Sequence, residues 1–242
     1  VAFFIWYGFA ALYFWAHRGV KRSPALRLWD IALVALVISS LGAWAVAGLM
    51  MAKVDNPFYE SAVIHFFVDL FGTGWLMIGI LGLIRAEAPA QAAANERVGR
   101  WLIAAALPFV FLVGLPRSQA PEVLILIGNA AAGTLAAGLL LNLQTLWDQV
   151  DPWLKRVLLF LGLQCGALAL MAIPPVANWG LSGGLRIFYL HLTFVGAVTL
   201  GLVVSAWRFW PKKAVHTPEP WLGTVLILLA TMIPLTKLWP QQ

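Results

Sequence analysis

The sequence predicts an all-α protein embedded in a lipid bilayer, and three observations carry that prediction. Of 242 residues, 62% are apolar and 11% are charged, whereas soluble globular domains carry about 25% charged residues. Apolar runs of about 20 residues, the length a helix needs to cross a hydrocarbon core, recur along the whole chain. Thirteen tryptophans suit a protein with two membrane–water interfaces, where amphipathic rings collect.

Eight segments have the required length, at 1–17, 28–52, 60–84, 100–116, 122–147, 153–177, 184–210 and 221–239. Proline or charge bounds most of them, as in Arg22-Ser23-Pro24, Asp151-Pro152 and Pro211-Lys212-Lys213. The polar connection from Arg85 to Arg100 is alanine-rich and of mixed charge, so a surface loop or a short amphipathic helix is expected there. The chain is thus one polytopic domain spanning 1–242. It opens at Val1 inside an apolar run, without a methionine or a cleavable leader pattern. A natural N-terminus is therefore expected further upstream.

Loop charge predicts orientation. Twelve basic residues fall in alternate connections, among them Arg18, Lys21, Arg22, Arg27, Arg85, Arg97, Arg100, Lys155, Arg156 and Arg208. The other side holds four, namely Lys53, Arg117, Arg186 and Lys237. The positive-inside rule puts the richer side in the cytoplasm of a bacterial inner membrane and both termini outside. Because the net charge of +6 is dispersed between apolar runs, no nucleic acid is an expected partner. The expected partners are the bilayer and other membrane subunits or further copies of the chain. Cys165 stands alone, which excludes an intramolecular disulfide and a cysteine-rich metal site.

A parallel 4+4 internal repeat, over 1–116 and 121–242, is also expected. Gly42 precedes His65 by 23 residues and Gly166 precedes His191 by 25. Each histidine lies 43 residues before a mid-helix proline, Pro108 or Pro234. Four spans per half would keep both copies in the same orientation.

The candidate site starts from Ile64-His65-Phe66-Phe67-Val68-Asp69, since ionisable residues inside a span are costly and usually have a partner or a task. Segments three and seven run in the same direction, and His65 and His191 fall within roughly 3–5 Å of one depth at the helical rise. Neutral imidazole is a common ligand for metals and haem iron. The pair therefore predicts one haem b or copper centre between the two segments, with Gly72, Gly74, Gly196 and Gly201 permitting close approach. Asp69, one turn below His65, would orient that histidine or carry a proton. The alternative is that these side chains only hydrogen-bond neighbouring helices together. Asn129, Gln164 and Thr199 are expected to be interhelical hydrogen bonders. Gly128, Gly133 and Gly138 with Ala132 and Ala137 predict a tight helix contact. His17 and His216 are expected in water, as is Asp30, while Trp44 and Trp75 sit deep enough to line a cavity.

The pattern His191-Leu192-Thr193-Phe194-Val195-Gly196-Ala197-Val198-Thr199-Leu200-Gly201, with His65 through Gly74-Trp75, resembles a family of bacterial polytopic proteins. That family is similar in turn to NnrS-type proteins and to the catalytic subunits of haem–copper oxidases. The resemblance implies that His65 and His191 bind haem or copper near the outer face. It does not imply an oxygen-reducing binuclear centre, because the chain lacks a His-Pro-Glu-Val-Tyr motif and a histidine pair for copper.

The expected function is electron transfer, or sensing or handling of a small redox ligand, in a respiratory-type membrane complex. Two other classes stay open: a cofactor-free structural or assembly subunit, and a carrier for a small solute or metal ion.

Overall fold

A computed structural model describes residues 2–88, 94–182, 185–210 and 218–236. Every element among them is helical. We number the helices α1 (Ala2–Ala16), α2 (Pro24–Met51), α3 (Pro57–Glu87), α4 (Ala94–Gly114), α5 (Glu122–Trp147), α6 (Pro152–Met171), α7 (Pro174–Ser182), α8 (Leu185–Phe209) and α9 (Glu219–Met232). Six of them (α2 to α6, and α8) are long and apolar enough to cross a membrane, and α1 and α9 are shorter apolar helices.

Local chemistry sets the helix starts. Ser23, Asn56 and Asp151 each stand before a proline and accept hydrogen bonds from first-turn backbone N–H groups. Such side chains satisfy donors that have no intrahelical partner, and proline at the first helical position has no N–H to lose. These caps move the starts to Pro24, Pro57 and Pro152, between one and four residues ahead of the apolar runs.

Two boundaries differ more. Segment six ends at Met171, because Pro174 cannot extend the preceding helix and instead begins α7. The connection between α3 and α4 is mostly helix, with only residues 89–93 outside the described set. Pro211, Lys212, Lys213, His216, Lys237 and Trp239 also lie outside it, as does Val1.

Helix α3 is the centre of the bundle: 61% of its apolar window is buried, against 39–44% in the other five long helices. It runs antiparallel to α2, since a Cβ on Gly42 would meet the Val63 and Phe67 backbone and one on Gly82 would meet Trp29. It runs parallel to α8, with contacts pairing Asp69 with Arg186, Thr73 with Tyr189 and Ile80 with Gly201. Helices α4 and α5 cross closely where Gly99 meets Gly138. A Cβ on Gly99 would lie 2.7 Å from the Gly138 carbonyl oxygen. The expected small-residue contact of α5 is thus real, and small residues are what let helix backbones approach in lipid.

Both α3 and α8 change winding midway. Each contains eight residues of π-helix, Leu70–Met77 and Leu192–Thr199, between α-helical ends. The Thr199 hydroxyl donates to the Phe194 carbonyl five residues back, at 2.8 Å. A π stretch adds a residue to a turn, so the faces above and below it are rotated relative to a uniform helix, and such stretches are frequent at functional sites.

Charged groups gather at one end of the bundle. Glu96 accepts from both Arg85 and Arg100 at 2.9 Å, with all three side chains buried. Arg208 bridges Glu87 at 2.7 Å and also Asp151. Two of the basic residues expected in a loop, Arg85 and Arg100, are therefore buried helix residues. Asp30 pairs with Arg22 at 3.2 Å and is partly exposed, as expected for an acid close to water.

Candidate functional site

The polar residues of α3 and the first turns of α8 form one cluster. Arg186 donates to Asp69 Oδ1 at 3.2 Å. The other carboxylate oxygen, Oδ2, lies 3.6 Å from His65 Nδ1, which is beyond hydrogen-bond range. One turn below Asp69, Thr73 Oγ1 and the Tyr189 hydroxyl are 3.4 Å apart. Thr73 is buried, and Thr193 donates to the Tyr189 carbonyl at 2.9 Å while accepting from Gln164 of α6. An intramembrane acid usually has a partner, and here that partner is Arg186.

The two histidines do not share the depth expected for them: Thr73 is level with Tyr189, so His191 lies about ten residues, roughly 15 Å, beyond His65 along the bundle, and their surroundings differ. The His65 ring packs directly against Gly114 at the end of α4, where a Cβ would fall on its Nδ1, Cε1 and Cγ. Its Nδ1 is sealed from solvent and has no hydrogen-bond partner among the described residues. His191 Nδ1 lies 2.8 Å from the Ile187 carbonyl of its own helix. That bond requires the proton on Nδ1 and leaves Nε2 as the free ring nitrogen. The space beside the neighbouring glycines is taken by aromatic rings. Phe194 faces Gly72 at 3.7 Å from a built Cβ, and Phe160 faces Gly196 at 2.9 Å.

Beside this cluster is a half-open cavity of about 1110 Å³, and Leu159, Leu163, Leu170 and Leu226 of its lining are exposed at its open side. Its polar lining comes from Asp69, Thr73, Arg186, Tyr189 and Gln144, and the rest is almost wholly apolar, with contributions from α4 through α9. Neither His65 nor His191 lines it. One wall of the cavity is built by glycine: Gly162 and Gly166, one turn apart on α6, would have nothing within 4 Å of an added Cβ. Gly42, the glycine that sequence spacing pairs with Gly166, is instead packed against α3 backbone at 2.9 Å. Helix α7 contributes Val176, Trp179 and Gly180 to the lining.

No family model, curated protein or solved structure matches this chain.

Among the described residues, no group of three or more histidine, cysteine or acidic side chains is arranged to hold a metal ion. Trp44 is half exposed and donates to Tyr7, and Trp75 packs on Phe9 and Trp29. Neither lines the cavity. His17 is partly exposed, with Nδ1 2.9 Å from the Tyr13 carbonyl of α1. Asn129 accepts from Arg117 at 3.3 Å, a contact between α5 and the connection before it.

Sequence reasoning did not single out Arg186, Tyr189, Gly114 or α7. The rule that an intramembrane acid needs a partner was a usable signal for Arg186, one of only four basic residues assigned to the outer side. Nothing local signals Gly114, whose role depends on a histidine 49 positions earlier in the chain.

Proposed function

We propose that this chain is a multi-pass protein of a bacterial inner membrane that binds one large, mostly apolar ligand in the cavity beside α6. The Asp69–Arg186 pair with Tyr189 and Thr73 would meet the ligand's polar end. The observation that carries this is the cavity itself: about 1110 Å³ of apolar space with its polar groups drawn chiefly from one cluster. Ligand sites have this character, apolar walls with a few convergent polar groups. The role that fits is a ligand-binding subunit of a respiratory-type membrane complex, handling a small redox-active or lipid-soluble molecule.

Eight spans, with α1 and α9 completing the six long helices, and both termini outside belong to the same proposal. So does the parallel repeat. It is supported by the matching π stretches and by Pro108 and Pro234, each at the second position of a 3₁₀ ending, Leu107–Gly114 and Ile233–Leu235. Matching the π stretches equates Gly74 with Gly196 and Asp69 with His191. Matching the histidines shifts this register by one turn.

The test is extraction. Protein purified from its membrane should release one lipophilic compound in near-stoichiometric amount. A Gly162→Leu/Gly166→Leu variant, whose side chains enter the open space beside α6, should release far less. Equal release from both proteins would overturn the proposal.

A haem or copper centre held by His65 and His191, serving electron transfer, is the second reading. It is favoured by the free Nε2 of His191 and by Asp69, 3.6 Å from His65 Nδ1, which would orient that imidazole once the gap closed to a hydrogen bond. It requires α3 and α8 to part where Phe194 covers Gly72 and to slide by roughly 15 Å, because the Thr73–Tyr189 contact sets His191 level with about Trp75 rather than with His65. A Soret band lost in His65→Ala and in His191→Ala would carry it, and a colourless preparation free of iron and copper would remove it.

A further inference from the structure

We infer that the cavity selects an uncharged amphiphile, a head bearing carbonyl or hydroxyl oxygens on a long apolar tail. This rests on the cavity-binding reading above and adds the chemistry of the ligand. The first reason is charge. Among the described residues Arg186 is the one cation lining the cavity, and Asp69 already neutralises it at 3.2 Å. An anionic head, as in a fatty acid or a phosphodiester lipid, would have to displace a carboxylate from Arg186 while sitting beside that same carboxylate. A cationic head would face the reverse conflict with Arg186.

The second reason is the hydrogen-bonding inventory. Thr73 Oγ1 and the Tyr189 hydroxyl are 3.4 Å apart, at the long limit of a hydrogen bond. Each hydroxyl has one proton to give and lone pairs to accept with. A neutral oxygen placed beside the pair would take a donor from either without competing with an ion pair. Size supplies the third reason. Ligand pockets usually enclose about 300–1000 Å³, and this one holds about 1110 Å³ with walls that are mostly leucine, glycine and aromatic side chains. Such walls offer a long tail dispersion contacts and no polar groups.

Two neutral sources in a bacterial membrane share this chemistry, a prenyl quinone and a neutral acylglycerol. Delipidated full-length protein would be titrated separately with decyl-benzoquinone, monoolein and oleate, and occupancy read by native mass spectrometry. At least one neutral probe should half-saturate at a concentration about 10-fold or more below that of oleate, and which one binds identifies the source. Removing both hydroxyls, in Thr73→Val/Tyr189→Phe, should weaken that probe by about 2- to 10-fold per hydrogen bond lost and leave oleate unchanged. If oleate binds as tightly as the neutral probes, or if the two hydroxyls make no difference, the uncharged-head assignment is overturned while the cavity reading stands. If no probe binds, and the Gly162→Leu/Gly166→Leu variant matches the parent in every titration, the cavity reading falls with it.

Discussion

Gly114 sets the position of His65, and replacing it with alanine is a stringent probe of the α3–α4 contact. A Cβ at residue 114 would fall within the imidazole ring, on Nδ1, Cε1 and Cγ. The ring cannot yield by moving its tip alone, because the overlap includes the atom nearest its Cβ. Forcing extra atoms into a packed site costs about 1–3 kcal/mol. For a chain of this size 1 kcal/mol corresponds to about 2–4 °C in Tm, so Gly114→Ala should unfold about 2–12 °C below the parent in a detergent thermal scan. The double mutant separates this cause from others. In His65→Ala the ring is gone, and adding Gly114→Ala should then cost almost nothing, a coupling that contacting residues show and distant ones do not. An unchanged Tm for Gly114→Ala, or the same loss with and without His65, would refute the placement of His65.

Three other outcomes follow from the same contacts. Glu96→Gln takes the negative charge from between Arg85 and Arg100, with all three side chains buried. It should cost about 3–5 kcal/mol, read as a large fall in Tm. Arg186→Met should leave Asp69 uncompensated and loosen the start of α8, seen as faster hydrogen exchange over Leu185–His191, and Asp69→Asn added to it should restore protection. For orientation, single cysteines at the exposed positions Lys53 and Arg97, in a Cys165→Ala background, should be labelled by a membrane-impermeant reagent from outside at position 53 only. Labelling at 97 would invert the topology.

The spans were legible because a hydrocarbon core imposes one length and one composition on every crossing segment. Each of the eight expected segments overlaps a helix among the described residues, and six of those helices are long and apolar enough to cross. Two boundaries were legible too, at Ser23-Pro24 and Asp151-Pro152, because a cap and a proline act through their immediate neighbours.

The site was legible only in part. His65 and Asp69 stood out because ionisable groups are rare in a span. Their surroundings come from residues 49 and 117 positions away, Gly114 and Arg186, and no local pattern connects those. The π stretches were invisible for a related reason: apolar composition does not distinguish a uniform helix from one with a widened turn, and that turn changes which residues share a face. The cavity escaped notice because it is defined by what is missing. Gly42 and Gly166 look equivalent in sequence, yet one is pressed against a helix and the other faces open space.

The central claim is that the space beside α6 is a ligand site, and an experimental density map of the purified protein in a lipid nanodisc tests it most directly. The map should show continuous elongated density along Gly162 and Gly166, ending within hydrogen-bond distance of Tyr189 and Thr73. A cavity closed by its own side chains would contradict the account. So would compact metal or haem density between His65 and His191 with nothing beside α6.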